Sequence, residues 1–290
     1  MRLRAESIPT IPAPARVVAR NVVWAYGRAT SSARPLPDFL ILGAQKAGTT
    51  ALYAYLREHP AIAGPPWKEV SFFDRHYARG AAWYRGNFPN RLYLRRMQAR
   101  AGATPLVGEA SPSYVLHPFA PGRVATLVPE ARLLALVRNP IDRALSHYHH
   151  EVALGREALS FEDALAAEEQ RLQGELERMR DPRYFSYAWW NYTYAARGLY
   201  AEQLERWLER FPRERLLIVP SGDLREQPRE TYARVLDFLG APPHELASYP
   251  QIFKREYAQM QAETREELRE RFAEPNRRLY ELLGRDLGWS

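Results

Sequence analysis

The sequence predicts a three-layer α/β domain with a mostly parallel central sheet and helices on both faces. Two strand-to-helix units carry this expectation. In each, a short unbroken apolar run leads through a turn into a segment of helical spacing: "DFLILG" into "TTALYAYLREHP", and "LLALV" into "PIDRALSHYHHEVALG". Unbroken apolar runs are what strands buried on both faces require, as in parallel sheets. A third run, "RLLIVPSGDL", is followed by amphipathic helical sequence. At 290 residues the chain is long enough to bury a large core as one such domain.

Residues 1–37 form a proline-rich arm with six arginines and a single acidic residue, Glu6. "VVARNVVWAY" within it is too short to span a bilayer, and Arg20 and Asn21 interrupt it. The arm is expected to lie loosely on the domain or to rest as a basic interfacial helix on an anionic membrane. The domain proper, 38–290, begins with "DFLILG". The next residues hold Gly43 and Gly48 at the spacing of a phosphate-binding loop. The lysine of that loop ordinarily follows the second glycine. Here Thr49 and Thr50 follow Gly48, and Lys46 sits inside the loop, beside Ala47. A glycine-bearing turn opening a helix, with one lysine and two hydroxyls, is a cup for a tetrahedral anion.

The second unit ends its strand at Arg138, where open α/β sheets place their ligands. Asn139 suits the N-cap and Pro140 the first helical position. Ser146 falls about two turns into that helix, so that Arg138 and Ser146 together suit one phosphate. Further on, 161–182 is highly charged with a thin apolar stripe and predicts a solvated helix. Residues 184–194, "YFSYAWWNYTY", hold seven aromatics in eleven positions, suited mainly to core packing and secondarily to stacking on a sugar or other planar acceptor. "RLLIVPSGDL" predicts a further buried strand, and "RETYARVLDFLG" and "REELRERFAEPNRRLYELLG" predict amphipathic helices.

Composition narrows the chemistry. There is no cysteine, which excludes disulfides, thiolate metal sites and cysteine nucleophiles. The seven histidines lack metalloprotease spacing. His147, His149 and His150 cluster on the helix that carries Ser146 and are expected to pack or face solvent. A net charge of +7 suits a polyanionic partner.

Taken together, the two units resemble a family. "PDFLILGAQKAGTTALYAYLREHP" is similar to the 5′-phosphosulfate loop of sulfotransferases that use 3′-phosphoadenosine 5′-phosphosulfate (PAPS), and "LVRNPIDRALSHY" to their 3′-phosphate segment. "KEVSFFDRHYARGAAWYRGNFP", "GEASPSYV", "GLYAEQLERWLERFP" and "EPNRRLYELLGRDLGW" resemble the heparan sulfate glucosaminyl 3-O-sulfotransferase branch and its bacterial relatives. The likeness runs over about 38–289. It implies that Lys46, Ala47, Gly48, Thr49 and Thr50 hold the phosphosulfate, that Arg138 and Ser146 hold the 3′-phosphate, and that Glu69 is the catalytic base. Lys254 and Arg255 fall near the branch's late basic loop over the cofactor, at a looser spacing. Lys68 and His76 lie where an acceptor contact is expected. Two departures bear on the acceptor: Ala110 replaces the lysine of the branch's E-K-T-P stretch, and the branch's late disulfide hairpin is missing.

The implied reaction is in-line attack of an acceptor hydroxyl on sulfur, with adenosine 3′,5′-bisphosphate leaving. A carboxylate takes the hydroxyl proton, and a lysine inside the loop meets the charge growing on the bridging oxygen. No metal is expected, since the leaving group is already good. The expected partner is a hydroxyl on a carbohydrate or glycoconjugate rather than a nucleic acid, with peripheral membrane contact through the basic arm. The expected compartment is a bacterial cytoplasm. Two other readings stay open: a binding protein on the same fold without turnover, and a nucleotide kinase. The kinase would want its lysine after Gly48 and an acidic strand end for magnesium.

Overall fold

A computed structural model of the chain describes residues 24–251 and 260–289. Its centre is a five-stranded sheet: β1 (Phe39–Gly43), β2 (Ile62–Ala63), β3 (Leu106–Ala110), β4 (Arg132–Val137) and β5 (Leu216–Pro220). The spatial order is β2-β3-β1-β4-β5, and every pairing is parallel. The apolar runs explain the placement. Phe39, Leu40, Ile41 and Leu42, like Leu133 to Val137, are all buried. Helices surround the sheet. Leu52 and Leu56 of the Thr49–Glu58 helix, Leu204 and Trp207 of Tyr200–Leu208, and Val235 and Leu236 of Pro228–Leu239 share one core with the strands.

From β1 the chain runs to β2 on one side, whereas from β4 it runs to β5 on the other. Right-handed crossovers in opposite directions put their helices on opposite faces, and a crevice opens between the carboxyl ends of the two strands. That switch point lies between β1 and β4.

The first described residues are not loose. Residues 24–29 are helical. Trp24 packs edge-on to Trp67 and Trp83, with ring centroids 6.3 and 5.7 Å apart, and the Arg34 guanidinium donates to the Phe88 carbonyl. The rest of the arm, residues 1–23, lies outside the described residues.

One helix expectation needs correction. Residues 161–182 form three short helices, Phe161–Ala166, Glu168–Leu172 and Glu175–Arg178, instead of one. Gly174 is left-handed (φ 75°) and breaks the run. Two of its charges are buried rather than solvated. Glu168 accepts from the Ala195 and Ala196 amides at 2.7 and 2.8 Å, and Glu175 accepts from Tyr184. Orphan amides elsewhere thus claim the carboxylates that a free-standing helix would leave in water.

Candidate active site

Two turns meet at the switch point. The Ala44 amide, just after β1, donates to Leu136 O of β4 at 2.7 Å, and Ala47 N donates to Ala44 O at 3.1 Å. Gly48, exposed and left-handed at φ 101°, opens the Thr49–Glu58 helix. Its carbonyl accepts from the Ala51 and Leu52 amides. The helix start therefore presents its first amides beside an exposed glycine, the arrangement that suits an anion. Thr49 is buried and Thr50 half-buried. Lys46 is left-handed at φ 71°. For a residue with a side chain that conformation costs roughly 1–2 kcal/mol.

After β4, Asn139 caps the Pro140–Ala153 helix, accepting from Ile141 N at 3.0 Å. Arg138 stands half-buried between the two turns. Its Nη1 donates to the Lys46 carbonyl at 3.2 Å, while its own carbonyl accepts from Tyr200 OH at 3.0 Å. The two predicted anion-binding segments are thereby joined across 92 residues of sequence. Ser146 lies on the buried face of the helix, at 2% exposure. His147, next to it, is fully buried with its ring against Tyr194 (centroids 5.0 Å). Burial and then the charges of Arg197 and Arg143 hold its pKa well below the usual histidine range, and Lys46 is near enough to add to that effect.

Glu69 lies on a second left-handed turn, with φ 67° at Glu69 and 52° at Ser71. Among the described residues, Lys46, Glu69 and Ser71 are the non-glycine positions of that hand. Backbone held in sparsely populated regions clusters where a structure needs a side chain aimed. The Glu69 side chain is 44% exposed and pairs with Lys68 Nζ at 2.6 Å.

The turn is fastened to β3. Glu69 N donates to Ala110 O (3.1 Å), Ser71 N to Ser111 Oγ (3.0 Å) and Phe72 N to Tyr114 OH (2.8 Å). Ser111 and Tyr114 in turn donate to the two oxygens of Glu109, at 2.7 and 2.9 Å. Tyr84 OH donates to the same carboxylate at 2.7 Å. Glu109 is fully buried, and burial raises its pKa. Below the turn, Phe72 stacks on Tyr84 with centroids 4.4 Å apart, and Phe73 meets Tyr84 and Tyr114 edge-on.

The aromatic stretch takes a place that core packing does not describe. Tyr194 is buried, but Tyr184, Phe185, Trp189 and Trp190 are half-buried. They line a pocket with Asp74 and Arg197. Arg197 is buried and fully engaged, donating to Ser113 Oγ, Thr193 Oγ1 and Trp190 O. Asp74 Oδ1 accepts from Arg75 N at 2.8 Å, and Oδ2 is buried with no hydrogen-bond partner. Burial, then the charges of Glu109 and Glu69, push its carboxyl up to about 7. Reading the sequence missed Glu109, Asp74 and Arg197. A carboxylate inside the strand "LVGEA" was the signal for the first. His76, half-buried, packs edge-on to Trp83 (5.2 Å). Lys254 and Arg255 lie outside the described residues.

Comparison with known proteins agrees with this geometry. The chain is 27% identical over 320 residues to the membrane-associated sulfotransferase kil1 of Dictyostelium discoideum, covering 88% of this chain and 66% of that one. It is 29% identical over 283 residues to heparan sulfate glucosamine 3-O-sulfotransferase 3B1 of Mus musculus, covering 89% and 66%. It therefore spans just under two thirds of the length of these relatives. The crystal structure of a sulfotransferase from Alicyclobacillus acidocaldarius superposes with a TM-score of 0.66 at 32% identity, over 88% of this chain and 99% of that one. The family model described as "Sulfotransferase domain" matches residues 36–270, most of the chain, and the chain belongs to the sulfotransferase domain family.

Proposed function

We propose that this protein transfers the sulfuryl group of PAPS to a hydroxyl on a carbohydrate or glycoconjugate. The observation that carries the reading is the meeting of the two anion-binding turns at the switch point, where the Arg138 guanidinium touches the backbone of Lys46. One donor with a phosphosulfate at one end and a 3′-phosphate at the other needs two such sites side by side. The exposed Gly48, the first amides of its helix and Thr50 suit the phosphosulfate. Arg138 suits the 3′-phosphate, and Ser146, buried on the adjoining helix, is the second group proposed for it.

In this reading Glu69 takes the proton from the acceptor oxygen as that oxygen bonds to sulfur. The bond from sulfur to the phosphate oxygen breaks, and the electron pair stays on the departing adenosine 3′,5′-bisphosphate. Lys46 stabilises that charge. The Lys68 pair does not stand in the way. An exposed ion pair is worth at most about 1 kcal/mol, so an incoming hydroxyl can replace it. Neither step calls for a metal ion. A glycan acceptor is supported by the named activity of the mouse relative. Among the described residues no helix is long and apolar enough to cross a membrane. Contact with a membrane through the basic arm, and residence in the cytoplasm where the donor is made, belong to the same proposal.

The test is calorimetric titration with adenosine 3′,5′-bisphosphate and with ATP, followed by a screen of glycan acceptors with radiolabelled PAPS. Selective binding of the bisphosphate and label on a glycan are expected. Preference for ATP with magnesium would move the protein to the kinases. Tight bisphosphate binding with no transfer to any acceptor or to water would make it a binding protein.

A further inference from the structure

We propose that Glu109 is a positioning residue, which aims Glu69 by gripping the backbone of its turn. The inference rests on the reading of Glu69 as the base. Three amides between 69 and 72 are held by β3 and the residues just after it. Glu69 N goes to the Ala110 carbonyl, Ser71 N to Ser111 and Phe72 N to Tyr114.

The direction of the bonds matters. Ser111 and Tyr114 each give their single hydroxyl proton to Glu109. Their oxygens are then committed as acceptors for Ser71 N and Phe72 N. The buried carboxylate thus sets the polarity of the whole clasp. A neutral apolar residue at 109 leaves both hydroxyls free to turn, and leaves the phenol of Tyr84 buried without its partner. The clasp also has a strain to overcome. Glu69 and Ser71 both stand in left-handed backbone, which residues with a side chain disfavour. Hydrogen bonds to the amides of the turn offset that cost. Structural support alone does not require this arrangement. The aromatic stack of Phe72, Phe73 and Tyr84 already anchors the segment after the turn, and the clasp closes only on the amides beside Glu69.

The variants are Tyr114→Phe, Ser111→Ala and Glu109→Gln, each alone and combined with Glu69→Gln. Glu109→Gln puts an amide where three buried hydroxyls need a carboxylate and is the variant most at risk of misfolding, so the first two keep the question answerable. Adenosine 3′,5′-bisphosphate should bind each soluble single variant within about threefold of wild type. Hydrogen exchange should quicken at amides 71 and 72 and stay unchanged along β1 and β4. Turnover with the best acceptor of the glycan screen should fall about 10- to 100-fold, the scale of a small misplacement of a reacting group. The fall should be mainly in kcat rather than KM. In the Glu69→Gln background the same changes should cost less than about threefold, because the residue they aim is already disabled. Full additivity in that cycle overturns the proposal, as does unaltered exchange at 71 and 72 or normal turnover in Tyr114→Phe and Ser111→Ala. If Glu69→Gln itself turns over normally, the base assignment fails, while the exchange data still decide whether the clasp holds the turn.

Discussion

Lys46 and Glu69 both stand on left-handed backbone, yet the two turns that carry them are built from different materials. The Lys46 turn is local. It is made by the end of β1, two glycines and the first turn of one helix, and its outside ties are main-chain bonds to the neighbouring strand and the Arg138 contact. The Glu69 turn is held from a distance. Its amides are satisfied by Ala110, Ser111 and Tyr114, the two hydroxyls oriented by Glu109, some 40 residues further along the chain. The contrast suits the proposed division of labour. A cup for one invariant donor can be a self-contained motif. A base that must meet a particular hydroxyl needs its aim set by the body of the domain.

The largest expected effects separate the two turns by chemistry. Glu69→Gln keeps size and shape but cannot accept a proton, and turnover should fall about 10²- to 10⁴-fold. Affinity for adenosine 3′,5′-bisphosphate, measured by calorimetry, should hold. Lys46→Ala should reduce turnover about 10²- to 10³-fold, the usual loss when one preorganised donor to a developing charge is removed. Turnover within a few-fold of wild type in either variant removes that residue from the proposed chemistry.

Next in size is the brace between the halves. Arg138→Ala and Ser146→Ala should weaken the 3′-phosphorylated nucleotide, by about 10- to 100-fold for the arginine. Adenosine 5′-phosphosulfate, which lacks that phosphate, should be affected far less. The Arg138 contact with Lys46 O supplies the competing outcome. Equal weakening toward both nucleotides would mean that the guanidinium only supports the cup.

A smaller effect tests the backbone itself. Lys46→Gly should reduce turnover much as Lys46→Ala does, yet leave a more stable protein than the alanine variant. Glycine adopts positive φ without the penalty, a difference of about 1 kcal/mol that thermal melting can read. Equal melting temperatures would mean that the turn relaxes once the lysine is gone, and the cup would then not be preorganised.

This asymmetry also governed what the sequence made legible. "DFLILGAQKAGTT" holds a strand, a turn and a helix start within one short stretch, so the cup and its place at a strand end can be read directly. The same is true of Arg138, Asn139 and Pro140. The clasp on Glu69 is invisible to that kind of reading, because no local pattern connects residues 69–72 to Glu109. In 161–182 the break at Gly174 has a local signal, whereas the capture of Glu168 by the amides at 195 and 196 has none. The aromatic stretch was legible as apolar mass but not as the wall of a pocket, since half-burial depends on what Arg197 and Asp74 do beneath it.

Asp74 offers the smallest expected effect on the chemistry and the clearest one on stability. Its carboxyl is pushed up from 3.8 to about 7, first by burial and then by the negative charges of Glu109 and Glu69, against the opposing amide of Arg75. Below pH 3.8 the folded and unfolded chains both hold the proton. Between 3.8 and about 7 the folded chain keeps it while the unfolded chain has released it. Stability from this group is therefore fully present at the acid end and is lost as pH rises through that window, at about 1.4 kcal/mol per pH unit. Asp74→Asn stays neutral at every pH and keeps an acceptor for Arg75 N. Its melting temperature should match or fall slightly below wild type near pH 4 and exceed it near pH 8. The gap should open across the window and flatten above it. Parallel melting curves for Asp74→Asn and wild type would mean that Asp74 is already ionised in the folded protein. The Glu109 clasp would then have to work beside a second full negative charge.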